Sequence, residues 1–272
     1  MIRLRTLTLL LSLALLSGCG MLHSVAQSGK LLAPESFGLI PIAPHLYVEA
    51  RADEATRDRL RADMTRAETA IRQAYGSVSA RPTVHACVTE KCYATLGGRG
   101  EVGKVFGQRI LLSPHGLNWH FLAHEWSHAE MSTRLKLLAW KRMPQWFDEG
   151  LAVTLSEAPE HSENHWQFLI NTHIPRPTRD ELLSYQSLQQ WLTAVHRFGD
   201  DKNFERVTQG LPTLSPVYAA AGHEVRPWLA QVGSPGLLHL IQRMNEGADF
   251  ESAYAPPNAN PINTNPIKPY PN

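Results

Sequence analysis

The first half of the chain alternates short apolar runs with one long amphipathic segment. Residues 46–49 and 82–88 have the length and composition of strands. Between them, apolar residues recur at steps of four, three, four and three positions, ending just before Gly76. This period predicts an amphipathic helix. The apolar positions of that helix are Leu60, Met64, Ala67, Ile71 and Ala74.

The pattern changes near the middle of the chain. Residues 102–106 and 108–113 predict a hairpin that turns at Gly107. From Asn118 onward, nearly all the apolar periodicities are helical. We therefore expect one α+β domain over residues 44–252, in which a small N-terminal mixed sheet and one long helix precede a mainly helical half.

The N-terminus has the pattern of an export signal. Two arginines precede an apolar run over residues 7–16, and small residues follow it. A run of about ten residues cannot span a hydrocarbon core of ~30 Å as a helix. Residues 16–19, Leu-Ser-Gly-Cys, resemble the lipobox of bacterial lipoproteins. The resemblance implies a signal peptide over residues 1–18 and lipidation of Cys19, whereas the alternative is an ordinary signal peptide with an incidental cysteine.

Two flanking segments differ in composition from the expected domain. Residues 19–43 are rich in small and polar residues and punctuated by proline, which is typical of a tether between a lipid anchor and a domain. Residues 253–272 hold six prolines and five asparagines. Because that density of proline removes too many N–H donors for a regular element, we expect a disordered tail there.

The charge balance limits the classes of partner. The chain has 26 Lys and Arg against 25 Asp and Glu, so its net charge of +1 offers no broad basic surface for nucleic acid. With 43% hydrophobic and 19% charged residues, the composition is that of a folded chain. Acyl chains would hold it at a membrane without a basic patch. The expected location is the bacterial outer membrane, facing the periplasm.

The two remaining cysteines lie close together in the sequence. Cys87 and Cys92 are separated by four residues at the end of a predicted strand. In an oxidising periplasm such a pair can close a small disulfide loop, and two free thiols are the alternative. Zinc binding at this pair is disfavoured because no second Cys or His pair lies at ligand spacing.

Residues 124–128, His-Glu-Trp-Ser-His, match the pattern HExxH. On a helix, residues four apart project from nearly the same face one turn apart, so His124 and His128 can reach one metal ion. Glu125 is then placed to take a proton from a water on that metal. The motif alone is common enough by chance that its surroundings must support it, because a surface helix with two spare histidines matches it equally well.

A catalytic zinc needs a third protein ligand. The extended motif that continues to a third histidine is excluded, since Met131 and Arg134 occupy its glycine and histidine positions. Residues 144–152, Pro-Gln-Trp-Phe-Asp-Glu-Gly-Leu-Ala, instead place Glu149 after His128 with twenty residues between the two.

Together, the two motifs resemble the peptidase MA-like gluzincins, relatives of the thermolysin and aminopeptidase groups, over residues 83–155. The resemblance implies a thermolysin-like fold, a bound Zn²⁺ and Glu149 as its third ligand. Asp148 is expected to face solvent. No counterpart of the aminopeptidases' GxMEN segment is present, and Val153 stands where thermolysin relatives carry an aspartate that orients a zinc histidine.

The resemblance also implies two substrate-binding features. Gluzincins bind the substrate backbone along an edge strand before the zinc helix, and residues 109–113 stand where that strand is expected. Tyr218 lies in a segment similar to the aminopeptidase Tyr-x-x-Gly, with one extra residue, and is the candidate donor to the oxyanion. An ordinary packing tyrosine is the alternative, and His223 is the reserve candidate.

Other motifs are set aside. Residues 98–105 resemble a phosphate-binding loop, but Val105 replaces its hydroxyl residue and a strand follows it, so nucleotide binding is not expected. His161 and His165 are four apart in a segment with the composition of a polar loop or helix start. His120, one turn before His124, is a weaker candidate to line the site.

The sequence therefore predicts a membrane-anchored zinc metallopeptidase that hydrolyses peptide bonds in peptide or protein substrates. The alternative hypothesis is a non-catalytic envelope lipoprotein with a relic zinc site that serves as a binding or scaffold module.

Overall fold

A computed structural model describes residues 29–255, which form an α+β fold with one small mixed sheet. The sheet order is β1-β2-β3-β5-β4. The three central strands are parallel, and the two outer strands run antiparallel to their neighbours. The strands are β1 (Leu39–Ala43), β2 (Leu46–Glu49), β3 (Thr83–Ala86), β4 (Gly103–Phe106) and β5 (Arg109–Leu112).

Helices make up most of the described chain after β5, as expected. Within residues 29–255 the α-helices are α1 (Glu54–Tyr75), α2 (Glu90–Thr95), α3 (Trp119–Arg134), α4 (Leu137–Trp140), α5 (Gln145–Ser156), α6 (Glu163–Asn171), α7 (Arg179–Leu183), α8 (Leu188–Phe198), α9 (Asn203–Thr208), α10 (Pro216–Asn245) and α11 (Phe250–Tyr254).

The long helix α1 confirms the periodicity seen in the sequence. It begins after Asp53, whose carboxylate accepts the backbone N–H of Thr56 at 2.8 Å. It ends at Gly76, which adopts the left-handed conformation at φ 70°. Its buried stripe packs against the sheet and against α3, which places α3 over the same sheet face.

Alternation along β5 separates two apolar clusters. Ile110 and Leu112 face the main core beneath α1 and α3, while Leu111 faces a smaller cluster on the other side of the sheet. The smaller cluster includes Cys87 and Cys92, which form a disulfide with 5.5 Å between their Cα atoms. This bond ties the end of β3 to α2.

Two glycines let α5 and α10 pack closely. A Cβ atom on Gly150 would lie 2.7 Å from the carbonyl oxygen of Ala221, and one on Gly222 would lie 2.7 Å from Val153. Because neither contact leaves room for a methyl group, the two helix backbones approach more closely than larger residues permit. The α5 helix is thereby fixed between α3 and α10.

The structure corrects both ends of the expected domain. The sheet already begins with β1, inside the segment expected to be a tether, because the buried Leu39 packs into the smaller cluster. At the other end α11 runs to Tyr254, with Ala253 buried, so the expected tail boundary falls inside a helix. The predicted signal peptide, Cys19 and most of the expected tail lie outside the described residues. Within 29–255, no helix is both long and apolar enough to span a membrane.

Candidate metal centre

The α3 helix carries both histidines of the HExxH motif on its inner side. Asn118 begins the helix by accepting the backbone N–H of Phe121 at 3.2 Å. One turn separates His124 from His128, and their Nε2 atoms lie 3.2 Å apart. The predicted convergence of the two imidazoles is therefore present in the structure.

Glu149 on α5 completes a group of three donors. Its Oε2 atom lies 3.3 Å from His124 Nε2 and 3.7 Å from His128 Nε2. The three side chains are nearly buried, with exposed fractions of 10%, 11% and 9% for His124, His128 and Glu149. This group can hold a metal ion.

The geometry of the three donors fits a small divalent ion. A tetrahedral ion with bonds of about 2.0–2.2 Å has ligand atoms about 3.3–3.6 Å apart, which matches the observed spacing. Glu149 Oε2 is buried and has no hydrogen-bond partner among the described residues. Since a buried acceptor left unpaired is costly, an unpartnered carboxylate oxygen 3.3 and 3.7 Å from two imidazole nitrogens indicates a cation site.

Asp148 corrects one prediction. It was expected to face solvent, but it is buried, and its Oδ2 accepts a hydrogen bond from Nδ1 of His128 at 2.8 Å. When the ring is neutral, this bond keeps its proton on Nδ1 and leaves the Nε2 lone pair free for a metal. Asp148 thus supplies the orienting carboxylate that Val153 cannot provide.

The remaining partners fix Glu149 and set the local charge. Gln145 donates from Nε2 to Oε1 of Glu149 at 2.9 Å, one turn earlier on α5. Burial by itself would lower the pKa of His128, but the Asp148 and Glu149 carboxylates outweigh it and raise that pKa to about 10. The site therefore attracts positive charge, whether from a proton or from a metal ion.

Glu125 points from α3 toward the sheet, next to the ligands. A Cβ atom on Gly103 would lie 3.0 Å from both Cγ and Oε1 of Glu125, so a larger residue at this position would press on the carboxylate. Burial raises the pKa of Glu125, opposed by His124 and His128. A carboxylate with a raised pKa beside a metal site is suited to accept and return a proton near neutral pH.

The strand beside Glu125 is β4, which corrects a second prediction. Residues 109–113 were expected to form the edge strand, but β5 lies between β3 and β4. The sheet edge next to α3 is β4, which pairs on one side with β5 and on the other with no strand of the described chain. The hairpin itself was predicted correctly, but the edge strand is its first arm and not its second.

Tyr218 near the start of α10 is brought to the centre, as the sequence suggested. Its ring packs edge-on against His124, with 6.1 Å between ring centroids, and against Trp191 at 5.1 Å. Burial and the nearby Glu149 raise the pKa of Tyr218 well above its usual value. The hydroxyl therefore keeps its proton and remains a hydrogen-bond donor.

His161, which the sequence assigned to a polar loop or helix start, is a buried neighbour of the centre. It stacks on Tyr218 with 5.1 Å between centroids and lies 6.5 Å from the ring of His124. It is buried, and its Nδ1 has no hydrogen-bond partner in the described chain. Burial, reinforced by His124, lowers the pKa of His161 to about 3, so the ring is neutral. Its four-residue spacing from His165 gave no usable signal, because His165 bonds elsewhere, to the backbone N–H of Ser215.

The other histidine candidates lie in different networks. His223 bonds Glu163 through Nδ1 at 2.9 Å and stacks on Trp166. His120 contacts the carbonyl oxygen of Ser156 through Nδ1 at 2.7 Å. Each ring thus has a partner away from the three donors, which leaves Tyr218 and His161 as the polar rings beside them.

Comparison of the chain with protein-family models, with curated proteins and with solved structures finds no match in any of the three.

Proposed function

We propose that this chain is a zinc-dependent metallopeptidase of the gluzincin type, with a thermolysin-like arrangement around its metal. The observation that carries the proposal is the convergence of His124, His128 and Glu149 with Glu125 beside them. Two nitrogen donors and one carboxylate are a donor set that zinc uses in peptidases, with a fourth position open. When bound, the zinc ion supplies a Lewis acid that polarises a carbonyl and lowers the pKa of a coordinated water to about 7.

The chain's own groups carry the proton and the charge. Glu125, with its raised pKa, accepts the proton of the attacking water and later delivers it to the leaving nitrogen. Tyr218 donates its hydroxyl proton in a hydrogen bond to the oxygen that becomes negative during attack. Asp148 holds the ring of His128 in one tautomer throughout.

The substrate backbone is proposed to lie along β4. This strand presents unpaired backbone groups at the sheet edge, and Gly103 in it touches Glu125. An extended peptide added to such an edge would be held by main-chain hydrogen bonds next to the proton acceptor. Strand addition of this kind depends on the main chain of the peptide and only weakly on the side chains at the bonded positions.

The decisive experiment uses residues 21–272, loaded with zinc and incubated with a peptide library whose cleavage products are identified by mass spectrometry. Glu125→Gln should keep one zinc per chain and lose at least about a hundredfold in turnover, because the proton acceptor is gone. Glu149→Ala should lose zinc affinity. An active Glu125→Gln protein would overturn the mechanism, and a wild-type chain that binds zinc but cleaves nothing would support the binding-module alternative.

A further inference from the structure

The short helix α4 presents two leucines to solvent. Leu137 and Leu138 are 68% and 73% exposed, the largest exposed fractions among the large apolar side chains of the described chain. The opposite side of the same segment is buried through Leu135, Ala139 and Met143. The helix therefore has an inner side that packs and an outer side whose apolar residues have no intramolecular role.

This exposure is fixed by contacts at both ends of α4. The side chain of Asn245 accepts the backbone N–H of Lys136 at 2.7 Å and donates to the carbonyl of Arg134 at 2.8 Å. Beyond the helix, Arg142 donates to the carbonyl oxygens of Met244 and Gly247. Because α4 is held on the end of α10 in this way, rotation of the leucines into the core would break four hydrogen bonds.

The segment that carries the two leucines is basic, and the nearest carboxylate in the chain on the α10 side is the exposed Glu246 at the end of that helix. Residues 131–147 contain four Lys and Arg and no Asp or Glu, although the whole chain is nearly neutral. Lys136, Lys141 and Arg142 are exposed, and none of them pairs with a carboxylate in the described part of the chain. The outer side of α4 thus combines two apolar side chains with Lys141, whose ammonium has no partner among the described residues, while Lys136 and Arg142 keep their positive charge and bond only to carbonyl oxygens at the end of α10.

We propose that α4 is a membrane-docking surface that inserts Leu137 and Leu138 among the lipids of an anionic bilayer. Apolar side chains flanked by Lys and Arg match the interface of such a bilayer, where the acyl region takes the leucines and the phosphate headgroups take the cations. This contact is separate from any acyl anchor and does not depend on the proposed peptidase activity.

Two other occupants fit the charges less well. The segment beyond the structure, residues 256–272, has Lys268 as its one charged side chain, so it offers no acidic side chain to this surface. A second copy related by a twofold axis would place the same three cations opposite one another. An anionic lipid surface complements both the apolar and the charged groups.

Docking here would fix the height of the metal centre above the bilayer. α4 leads through Met143 and Pro144 directly into α5, which carries Glu149. The donors would therefore be held within a few turns of helix from the membrane surface. This last consequence rests on the proposed function: a peptidase held at that height would reach peptide segments that emerge close to the bilayer.

The test is vesicle co-sedimentation of residues 21–272, which lack the predicted signal and Cys19 but retain every described residue. We expect at least about tenfold stronger partition onto phosphatidylglycerol vesicles than onto phosphatidylcholine vesicles, since each cation near an anionic surface adds roughly fivefold. Leu137→Gln combined with Leu138→Gln should weaken that partition at least about tenfold. Lys136→Gln combined with Lys141→Gln should remove most of the lipid preference.

The matched control removes two apolar side chains of similar exposure elsewhere, Phe204→Gln with Val207→Gln on α9, and should leave partition unchanged. Circular dichroism confirms that each variant is folded. Partition that survives the leucine changes overturns the proposal. It is also overturned if light scattering shows a dimer that the leucine changes dissociate, or if vesicles bind only after residues 256–272 are deleted.

Discussion

Asp148 and Glu149 are adjacent in the sequence and lie beside the two nitrogens of one imidazole ring. Asp148 Oδ2 accepts the Nδ1–H of His128 at 2.8 Å, and Glu149 Oε2 lies 3.7 Å from Nε2 of the same ring. Consecutive helical residues project about 100° apart, so α5 can surround a ring that reaches it from α3. One helix thus supplies both a metal donor and the carboxylate that orients another donor.

Replacing Asp148 with Asn should weaken metal binding without removing it. The charge that stabilises the Nδ1–H tautomer of His128 is lost, and partners of this kind contribute about 10–100-fold in metal affinity. Chelator competition on the purified chain measures the change. Asp180→Asn, an exposed acid on α7, is the control and should have no effect. If the Asp148→Asn and Asp180→Asn variants bind the metal with equal affinity, Asp148 does not orient His128.

Replacing Tyr218 with Phe should lower kcat and leave KM nearly unchanged. The hydroxyl is assigned to the transition state, and loss of one such donor costs about 10²–10³ in kcat. Tyr254→Phe removes a hydroxyl from a tyrosine in the aromatic cluster of Trp146, Phe147 and Phe250 and serves as the matched control. If Tyr218→Phe raises KM alone, the residue binds substrate and does not stabilise the oxyanion.

Replacing Gly150 with Ala should destabilise the fold. The new methyl group would lie 2.6 Å from Cγ2 of Val225 and 2.7 Å from the carbonyl oxygen of Ala221, so α5 and α10 must separate. Overpacking of this kind costs about 1–3 kcal/mol, which denaturant unfolding can measure. Gly29→Ala, at a position with open space around it, should change little. Because Glu149 is adjacent, the metal affinity should fall together with the stability.

Stability should fall as the pH drops below about 6.5, partly because of His161. Burial lowers its folded-state pKa to about 3, whereas in the unfolded chain the ring is protonated near pH 6.5. The unfolded state therefore binds the extra proton, and stability is lost by about 1.4 kcal/mol per pH unit between these values.

Urea unfolding of the chain at pH 7 and pH 5 measures this loss of stability. His161 alone should contribute about 2 kcal/mol to it. His161→Gln should flatten the dependence, and His239→Gln, at an exposed position, should preserve it. If the wild type and both variants lose the same stability between pH 7 and pH 5, His161 is already protonated in the folded state.

Local patterns in the sequence predicted the parts of the site that depend on one helix. The spacing of His124 and His128 follows from the helical repeat, and the position of Glu149 follows from the second motif. The role of Asp148 depends on how α5 is rotated against α3, and periodicity does not define that rotation for two adjacent acids. His161 reaches the centre through the packing of Tyr218, which involves residues far apart in the chain.

The sheet shows the same division between local and long-range information. The hairpin around Gly107 was predicted because its two arms are adjacent, but which arm pairs with β3 depends on residues more than twenty positions away. β1 was taken for part of a tether because it contains Pro41. Proline is tolerated there because β1 is an outer strand of the described sheet, where one side of the strand needs no hydrogen-bond donor.

The open side of β4 also carries a risk of self-association. A strand with unpaired backbone groups can add the same strand of another molecule as readily as it adds a peptide, and such pairing is a common start of aggregation. The four-residue length of β4 limits how many hydrogen bonds another strand could make, and the charge of Lys104 disfavours its pairing with a second copy. Lengthening β4 or removing Lys104 is therefore expected to lower the solubility of the protein while its fold is still intact.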